Sequence, residues 1–322
     1  MSILLAAAAA ASLLLTPADQ KRVADQAAAL IEQRYVEPEI GKSTARALRS
    51  ARWQEQSEGN AFASRLTQLL RDASKDGHLA VEFSETPIKA EGGEANFATR
   101  ELERWYGAHL NHGVEKIERL DGNIMLIDLR VFPPPAMAGE VIAAAMTLVA
   151  QGEALIIDLR QNGGGMETAN LVLSYLLPPG TPLNAVYDRP SNRTTPSTTA
   201  AWLPGRRFDA GKPIYVLTSK RTFSAAEAVA YDLQANKRAT IVGEVSGGGA
   251  NPFEYRRIDD HFALSLPEQR SVNPVTGTNW QNVGVKPDIP VRADTALEKA
   301  LELARAEIRG RSAVGSDPQS LP

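Results

Sequence analysis

Residues 213–243 contain the pattern that most restricts the fold: two short apolar runs separated by a helix-forming segment. The runs at 213–218 and 239–243 are rich in β-branched and aliphatic side chains, which is typical of buried strands. Between them, alanine and leucine recur at helical spacing, and alanine is the strongest helix former. This order of strand, turn, helix and strand puts Ser224 where the turn becomes the helix.

A serine at the start of a helix has two interpretations. Serine is among the best N-cap residues, and Glu227, three positions later, completes a capping box. The first turn of a helix also offers unpaired backbone N–H groups and the positive end of the helix dipole, which stabilise negative charge that develops next to a nucleophile. The two roles are compatible, and the local sequence leaves both open.

A third apolar run, at 154–159, is continuous, as expected of a strand buried on both faces. Gly163, Gly164 and Gly165 follow it, before a helix predicted at 167–177. Glycines between a strand and a helix allow backbone N–H groups to face a ligand. The run matches neither of the phosphate-binding glycine patterns. It is interpreted either as a donor of hydrogen bonds to an oxyanion or as a tight turn.

The composition excludes several kinds of site. The chain has 322 residues and no cysteine, so disulfides, thiolate zinc sites and cysteine nucleophiles are excluded. His109 and His112 lie three residues apart without a nearby third ligand, so we predict no metal site, and nothing calls for a cofactor. A net charge of −3 without a basic stripe argues against nucleic acid as a partner.

His78 follows Gly77 and precedes a strand predicted at 79–83. A lone histidine is most often a surface or structural residue. A serine nucleophile, however, needs a base whose pKa is near neutral, and imidazole supplies one. With Ser224 in the same chain, His78 is the candidate base.

The N-terminal part of the chain is predicted to be helical. Residues 17–34, 42–53 and 61–73 carry apolar residues on one face, which predicts a small helical domain over residues 17–75. Residues 1–16 are uncharged, and their apolar stretch is too short to span a bilayer. They are interpreted as a secretory signal, as an alanine-rich start of the first helix, or as an incompletely assigned N-terminus.

The rest of the chain is divided into a core and a tail. We predict a core domain at 76–309 and a disordered tail at 310–322. The polar segment at 84–104 is predicted to be a flexible loop, and the segment at 187–207 is predicted to be a long surface loop. Hairpins are expected at 114–129, where Asp-Gly forms the turn, and at 253–266.

The order of these segments resembles the family of C-terminal-processing (tail-specific) serine peptidases. The closer branch is that of the tricorn protease core and interphotoreceptor retinoid-binding protein. The resemblance covers roughly residues 17–309 and rests on the following segments: 35–38, Asp76-Gly77-His78, 155–165 (LIIDLRQNGGG), 222–228 (TFSAAEA), 242–249 (VGEVSGGG) and 273–288. It implies an α/β fold, a crotonase/ClpP-like ββα-superhelix core with a small N-terminal helical domain. About thirty residues separate Phe83 from Val114, too few for the PDZ domain that many members carry, so the chain resembles the PDZ-less branch.

The resemblance implies roles for the matching residues. Ser224 matches the nucleophile, and His78 matches the region that supplies the base in the tricorn-like branch. The oxyanion donors would be the N–H groups of Gly163 or Gly164 and of Ala225.

Three positions depart from the family pattern. Gly77 stands where the tricorn protease has a serine that helps to orient the histidine, and glycine cannot do so. Residues 246–249 read Ser-Gly-Gly-Gly, without the lysine of the Ser/Lys branch. Gln281 stands where the tricorn-like branch has glutamate. An amide can orient a histidine by a hydrogen bond but supplies no charge for the imidazolium that forms.

The resemblance thus implies an exported serine peptidase, periplasmic or extracellular, that cleaves peptides or C-terminal tails of unfolded proteins, with no integral membrane segment in the mature chain. The alternative is a weakly catalytic or non-catalytic protein that binds apolar ligands or peptides, which Gln281 and Gly77 favour. A third interpretation, acyl-CoA chemistry as in crotonases, rests only on the shared fold. The oligomeric state is left open.

Overall fold

The structure, a computed structural model, describes residues 13–91 and 93–315. Its α-helices are α1 (Pro17–Arg34), α2 (Pro38–Ser50), α3 (Gly59–Ser74), α4 (Gly93–Tyr106), α5 (Pro135–Val149), α6 (Thr168–Leu176), α7 (Ala225–Ala235) and α8 (Ala296–Gly315), and a 3-10 helix spans Ala108–Gly113. Its strands are β1 (Leu14–Leu15), β2 (Ser57–Glu58), β3 (Ala80–Phe83), β4 (Val114–Leu120), β5 (Ile124–Leu129), β6 (Ala154–Asp158), β7 (Pro182–Asp188), β8 (Arg193–Thr198), β9 (Ile214–Thr218), β10 (Thr240–Gly243), β11 (Phe253–Arg257), β12 (Phe262–Pro267), β13 (Gln269–Val272) and β14 (Ile289–Pro290).

One compact unit comprises the described residues up to 99 together with 253–268. It contains the three predicted N-terminal helices and an antiparallel sheet in the order β11-β12-β3. The ring of Phe62 on α3 meets those of Trp53 and Phe262 edge-on, at centroid distances of 5.2 and 5.5 Å. The helices therefore pack against the sheet through aromatic side chains. Helix α2 begins earlier than predicted because proline is well suited to the first turn of a helix.

Helix α4 corrects the prediction of a flexible loop at 84–104. Its Phe97 is buried and meets the ring of Tyr255 edge-on at a centroid distance of 5.0 Å. Ile88 and Ala263 complete this small apolar cluster. The glycines and glutamates of the segment predict a loop. The helix is stabilised instead by packing of its one buried aromatic side chain against this cluster.

The second unit comprises residues 100–252 and the described residues from 269 onward. Its six-stranded sheet has the order β14-β10-β9-β6-β5-β4 and is parallel except for the predicted β4–β5 hairpin. Apolar residues of α5, α6 and α7 cover one face of the sheet, and those of α8 cover the other. Strands β6 and β9 are entirely buried, as their continuous apolar sequences predict.

The central strands fix the position of two loops. Strands β6 and β9 are parallel neighbours, so their carboxyl ends meet at one edge of the sheet. The loop that contains Gly163, Gly164 and Gly165, here called the glycine loop, follows β6. The turn that contains Ser224 follows β9. Crevices at the carboxyl ends of parallel strands are the usual ligand sites of open α/β sheets.

The prediction of a long surface loop at 187–207 is wrong in its first part. Strand β8 pairs with β7, and β13 pairs with the other edge of β7, which gives a three-stranded antiparallel sheet. The hairpin turns at Asn192, where φ is 50°, a value that asparagine tolerates better than most residues. Threonine has a high β propensity and suits an exposed sheet face, but the Pro, Ser and Arg content of the segment led to the prediction of a loop.

The ends of the chain also differ from expectation. Helix α8 continues to Gly315, so the start of the predicted tail is helical. Arg311 stabilises these last turns by donating to the carbonyl oxygens of Gly211 and Glu153, at 2.8 and 2.7 Å. The rest of the tail and residues 1–12 of the predicted signal lie outside the described residues. The domain boundaries at 17, 76 and 310 stay predictions.

Within residues 13–91 and 93–315, no helix combines the length and the apolar character needed to cross a bilayer.

Candidate active site

Ser224 has a backbone conformation that serine rarely adopts. Its φ is 55° and its ψ is −121°, although N-cap residues are normally extended. It is nevertheless the N-cap of α7 and forms the predicted capping box with Glu227. A non-glycine residue in this region is strained by about 1–3 kcal/mol, and such strain is concentrated at functional sites. Because a cap does not require this strain, Ser224 is a candidate for a second role.

The turn before Ser224 is fixed by the loop that follows β6. Thr222 donates from Oγ1 to the carbonyl oxygen of Leu159 at 2.8 Å. The N–H group of Phe223 donates to the carbonyl oxygen of Asn162 at 3.0 Å. Two hydrogen bonds to the segment that follows β6 therefore hold the strained turn in place.

Gly164 lies directly against Ser224. A Cβ atom on Gly164 would be 2.7 Å from Ser224 Cβ and 2.9 Å from the carbonyl oxygen of Phe223, and its φ of 110° also favours glycine. At Gly163, by contrast, a Cβ atom would meet nothing within 4 Å. Close approach of the backbone thus explains glycine at position 164 but not at 163.

The N–H groups predicted to bind an oxyanion are not equivalent. The N–H of Gly164 already donates to Oδ1 of Asn162 at 2.8 Å, and the Asn162 amide group donates to the carbonyl oxygen of Leu129 at 3.1 Å. Among the described residues, the N–H groups of Gly163 and Ala225 have no acceptor. The available pair is therefore Gly163 and Ala225.

We predict that Gly164→Ala and Gly163→Ala differ sharply. The alanine at 164 would force apart the backbone that holds Ser224, which should lower the free energy of unfolding by about 2 kcal/mol and the reactivity of Ser224 by about tenfold or more. The alanine at 163 meets no atom, so the variant should unfold like wild type. Thermal unfolding measures the change in stability, and initial reaction rates measure the change in reactivity. Equal behaviour of the two variants would contradict the assigned geometry.

Glu227 is completely buried and accepts four hydrogen bonds. Oε2 accepts from the N–H groups of Ser224 and Gly249, each at 2.8 Å. Oε1 accepts from the hydroxyl of Ser246 at 2.5 Å and from the N–H of Gly248 at 2.6 Å. Burial raises the pKa of Glu227, and these hydrogen bonds act against that rise. The carboxyl group thus joins the Ser224 turn to the 246–249 loop.

Gln281 and Trp280 hold the far end of the same loop. Oε1 of Gln281 accepts from the N–H of Ala250 at 2.6 Å, and its amide group donates to Oδ1 of Asn282 at 3.1 Å. The indole N–H of Trp280, a buried side chain, donates to the carbonyl oxygen of Gly249 at 2.8 Å. Gln281 therefore supports the loop, and the orienting role predicted for it stays a prediction.

His78 belongs to the other compact unit, at the turn between α3 and β3. Its side chain is buried, with 6% exposed. Nδ1 lies 3.6 Å from Oδ1 of Asp76, a buried carboxyl group two residues earlier. The ring of Phe253 lies 5.8 Å from the imidazole, centroid to centroid.

Across residues 13–91 and 93–315, no three His, Asp or Glu side chains are grouped as they would be around a metal ion. His109 and His112 lie on the 3-10 helix Ala108–Gly113.

A family model for peptidase family S41 matches residues 123–291, just over half of the chain. The chain belongs to peptidase family S41. The match contains the glycine loop, Ser224, Glu227 and Gln281 of this S41 chain.

Curated relatives of this S41 chain include processing proteases. It is 28% identical over 196 residues to the carboxyl-terminal-processing protease of Synechocystis sp., a match that covers 57% of this chain and 43% of that protein. The matched parts of the first four such relatives span between 26% and 43% of their own lengths.

Solved structures share the mixed α/β fold of this S41 chain. A lipoprotein from Streptococcus agalactiae matches with a TM-score of 0.60 at 16% identity, over 91% of this chain and 98% of that one. The tricorn protease matches with a TM-score of 0.59 at 16% identity, over 90% of this chain and 37% of that one.

Proposed function

We propose that this S41 chain is a serine-type peptidase with Ser224 as its nucleophile. The observation that carries the proposal is the strained φ of 55° at Ser224, at the turn from a buried strand into a helix. The same kind of strained strand-to-helix turn exposes the nucleophile of another class of serine hydrolases. Membership of a peptidase family supports peptides as the substrate class.

The proposed reaction uses His78 as general base and then as general acid. Ser224 Oγ attacks the scissile carbonyl carbon while its proton passes to His78. The N–H groups of Gly163 and Ala225 stabilise the oxyanion of the tetrahedral intermediate. His78 then protonates the leaving amine, and water hydrolyses the acyl-enzyme by the same steps. Gln281 is proposed to help to orient the site.

The substrate is proposed to be the C-terminal tail of a peptide or unfolded protein, because curated relatives are named for carboxyl-terminal processing. We also propose export to the periplasm or the cell exterior, since a lipoprotein shares the fold. The core of the second unit is proposed to be a ββα-superhelix of the crotonase/ClpP type, which fits its parallel sheet with helices on both faces.

A fluorophosphonate probe tests the nucleophile directly. Wild-type protein and the control Ser43→Ala, which changes an exposed serine of α2, should be labelled to the same extent. Ser224→Ala should not be labelled, although it should unfold at the same temperature. His78→Asn should be labelled at least 10²-fold more slowly, because the base is lost. An unlabelled wild type that is stabilised by fatty acids and does not hydrolyse peptides would overturn the proposal in favour of a binding protein.

A further inference from the structure

The turn that carries His78 also carries a buried carboxyl group. Asp76 has none of its surface exposed, and its Oδ1 lies 3.6 Å from Nδ1 of His78. This is an ion-pair distance, somewhat longer than a hydrogen bond. Catalytic hydrogen bonds are often long in the absence of substrate and shorten in the productive complex.

Two hydrogen bonds fix the orientation of this carboxyl group. Oδ1 accepts from the backbone N–H of His78 at 2.9 Å, and Oδ2 accepts from the hydroxyl of Tyr35 at 2.8 Å. Tyr35 is itself 1% exposed, at the end of α1. Asp76 is therefore held in one position relative to the residue that it would orient, as an efficient site requires.

We propose that Asp76 is the positioning carboxylate of His78, an inference that rests on the proposed function of His78 as the base. A carboxylate beside Nδ1 favours the tautomer with a proton on Nδ1, which leaves Nε2 to accept the proton of Ser224. The same charge stabilises the imidazolium that forms, and the proton stays on the imidazole until it passes to the leaving amine.

Asp76 supplies what Gln281 lacks. The amide of Gln281 carries no charge, and its two ends hydrogen bond to Ala250 and Asn282. Asp76 lies two residues before His78 at the turn between α3 and β3, so the same short segment carries the carboxylate and the imidazole. The site is then a serine, a histidine and an aspartate.

The first test is the tautomer of His78, measured by ¹⁵N NMR in Ser224→Ala protein at alkaline pH. The proposal expects the Nδ1–H tautomer to dominate, whereas a dominant Nε2–H tautomer would overturn it. In Asp76→Ala protein the preference for Nδ1–H should be lost. Because the first measurement needs no substitution of Asp76, it holds even if that variant does not fold.

The second test separates charge from structure by kinetics. Asp76→Asn keeps an acceptor for the His78 N–H but removes the charge, so kcat should fall by about 10²- to 10⁴-fold with little change in KM. Tyr35→Phe removes a buried hydrogen bond but keeps the charge, so its kcat should fall by less than about tenfold. Asp72→Asn, an exposed change on α3, is the control and should match wild type.

The outcomes distinguish this inference from the proposed function. Suppose that wild type is labelled at Ser224 but the kcat of Asp76→Asn is unchanged, or falls no further than the kcat of Tyr35→Phe. Asp76 is then structural, and only this inference fails. If wild type is not labelled while His78 holds the Nδ1–H tautomer, then the peptidase proposal fails although the pairing exists.

Discussion

Glu227→Gln is expected to lose peptidase activity by about 10²- to 10³-fold and stability by about 2–4 kcal/mol. The hydrogen-bond donors around Glu227 are divided between its two oxygens, because Ser246 and Gly248 face Oε1 and Ser224 and Gly249 face Oε2. Either orientation of the amide would therefore place an NH₂ group against a backbone N–H. The buried donors that result are left without an acceptor, and the Ser224 turn loses its anchor.

Chemical denaturation and the rate of fluorophosphonate labelling measure the two effects separately. Glu244→Gln is a suitable control, since Glu244 is only partly buried and accepts from the N–H of Lys220 at a long 3.4 Å. The control should keep the wild-type rate and midpoint. Wild-type labelling in Glu227→Gln would show that the Ser224 turn does not depend on this carboxyl group.

The Glu227 network gives the 246–249 loop a structural role, and the φ of 85° at Gly248 favours glycine there. Gly248 and Gly249 point consecutive N–H groups at one carboxylate, and Trp280 fixes the loop from the other side. The loop therefore supports the Ser224 turn through Glu227. A lysine is not needed for this function.

The sequence predicted most of the second unit because its signals are local. The apolar runs of β6 and β9, the helical spacing of α7 and the Asp-Gly turn of the β4–β5 hairpin each depend on neighbouring residues. Strand β8 pairs with β7, its neighbour in the sequence, and only the Pro, Ser and Arg content of the segment led to the prediction of a loop. Helix α4 packs on a distant residue, Tyr255, and local propensity cannot register such a contact.

The candidate site was predicted in part for the same reason. Ser224 and Glu227 were visible as a capping box, three residues apart on one helix. The role of Glu227 as an acceptor from Gly248 and Gly249 was not visible, because those residues follow the next strand. Asp76 is the first residue of the Asp-Gly-His motif at 76–78. Only the burial of its carboxyl group and the distance from that group to His78 distinguish it from an ordinary turn residue.

Glu268→Gln is expected to have the largest effect on the stability of the first unit, about 2–4 kcal/mol. Glu268 has 2% of its side chain exposed and binds two arginines, Arg34 and Arg256, each through both carboxylate oxygens. Removing its charge takes this ion pair from two partly buried arginines, of which Arg256 keeps a longer contact of 3.7 Å with Glu94. The effect is kept below that of a fully buried pair because the arginine side chains are 33% and 25% exposed.

The pH dependence identifies the charge as the cause of this loss. Burial alone would raise the pKa of Glu268, but the hydrogen bonds and charges of Arg256 and Arg34 outweigh it and hold the pKa below its ordinary value. The carboxylate therefore stabilises the folded state above about pH 4.3, the ordinary pKa of glutamate, and this contribution is lost as the pH falls through the lowered pKa. The difference in unfolding free energy between wild type and Glu268→Gln should accordingly be constant at neutral pH and shrink in acid. Glu32→Gln, which breaks an exposed pair with Arg49, should cost less than about 1 kcal/mol at any pH, and a Glu268 variant that behaved in the same way would show that the two arginines do not need its charge.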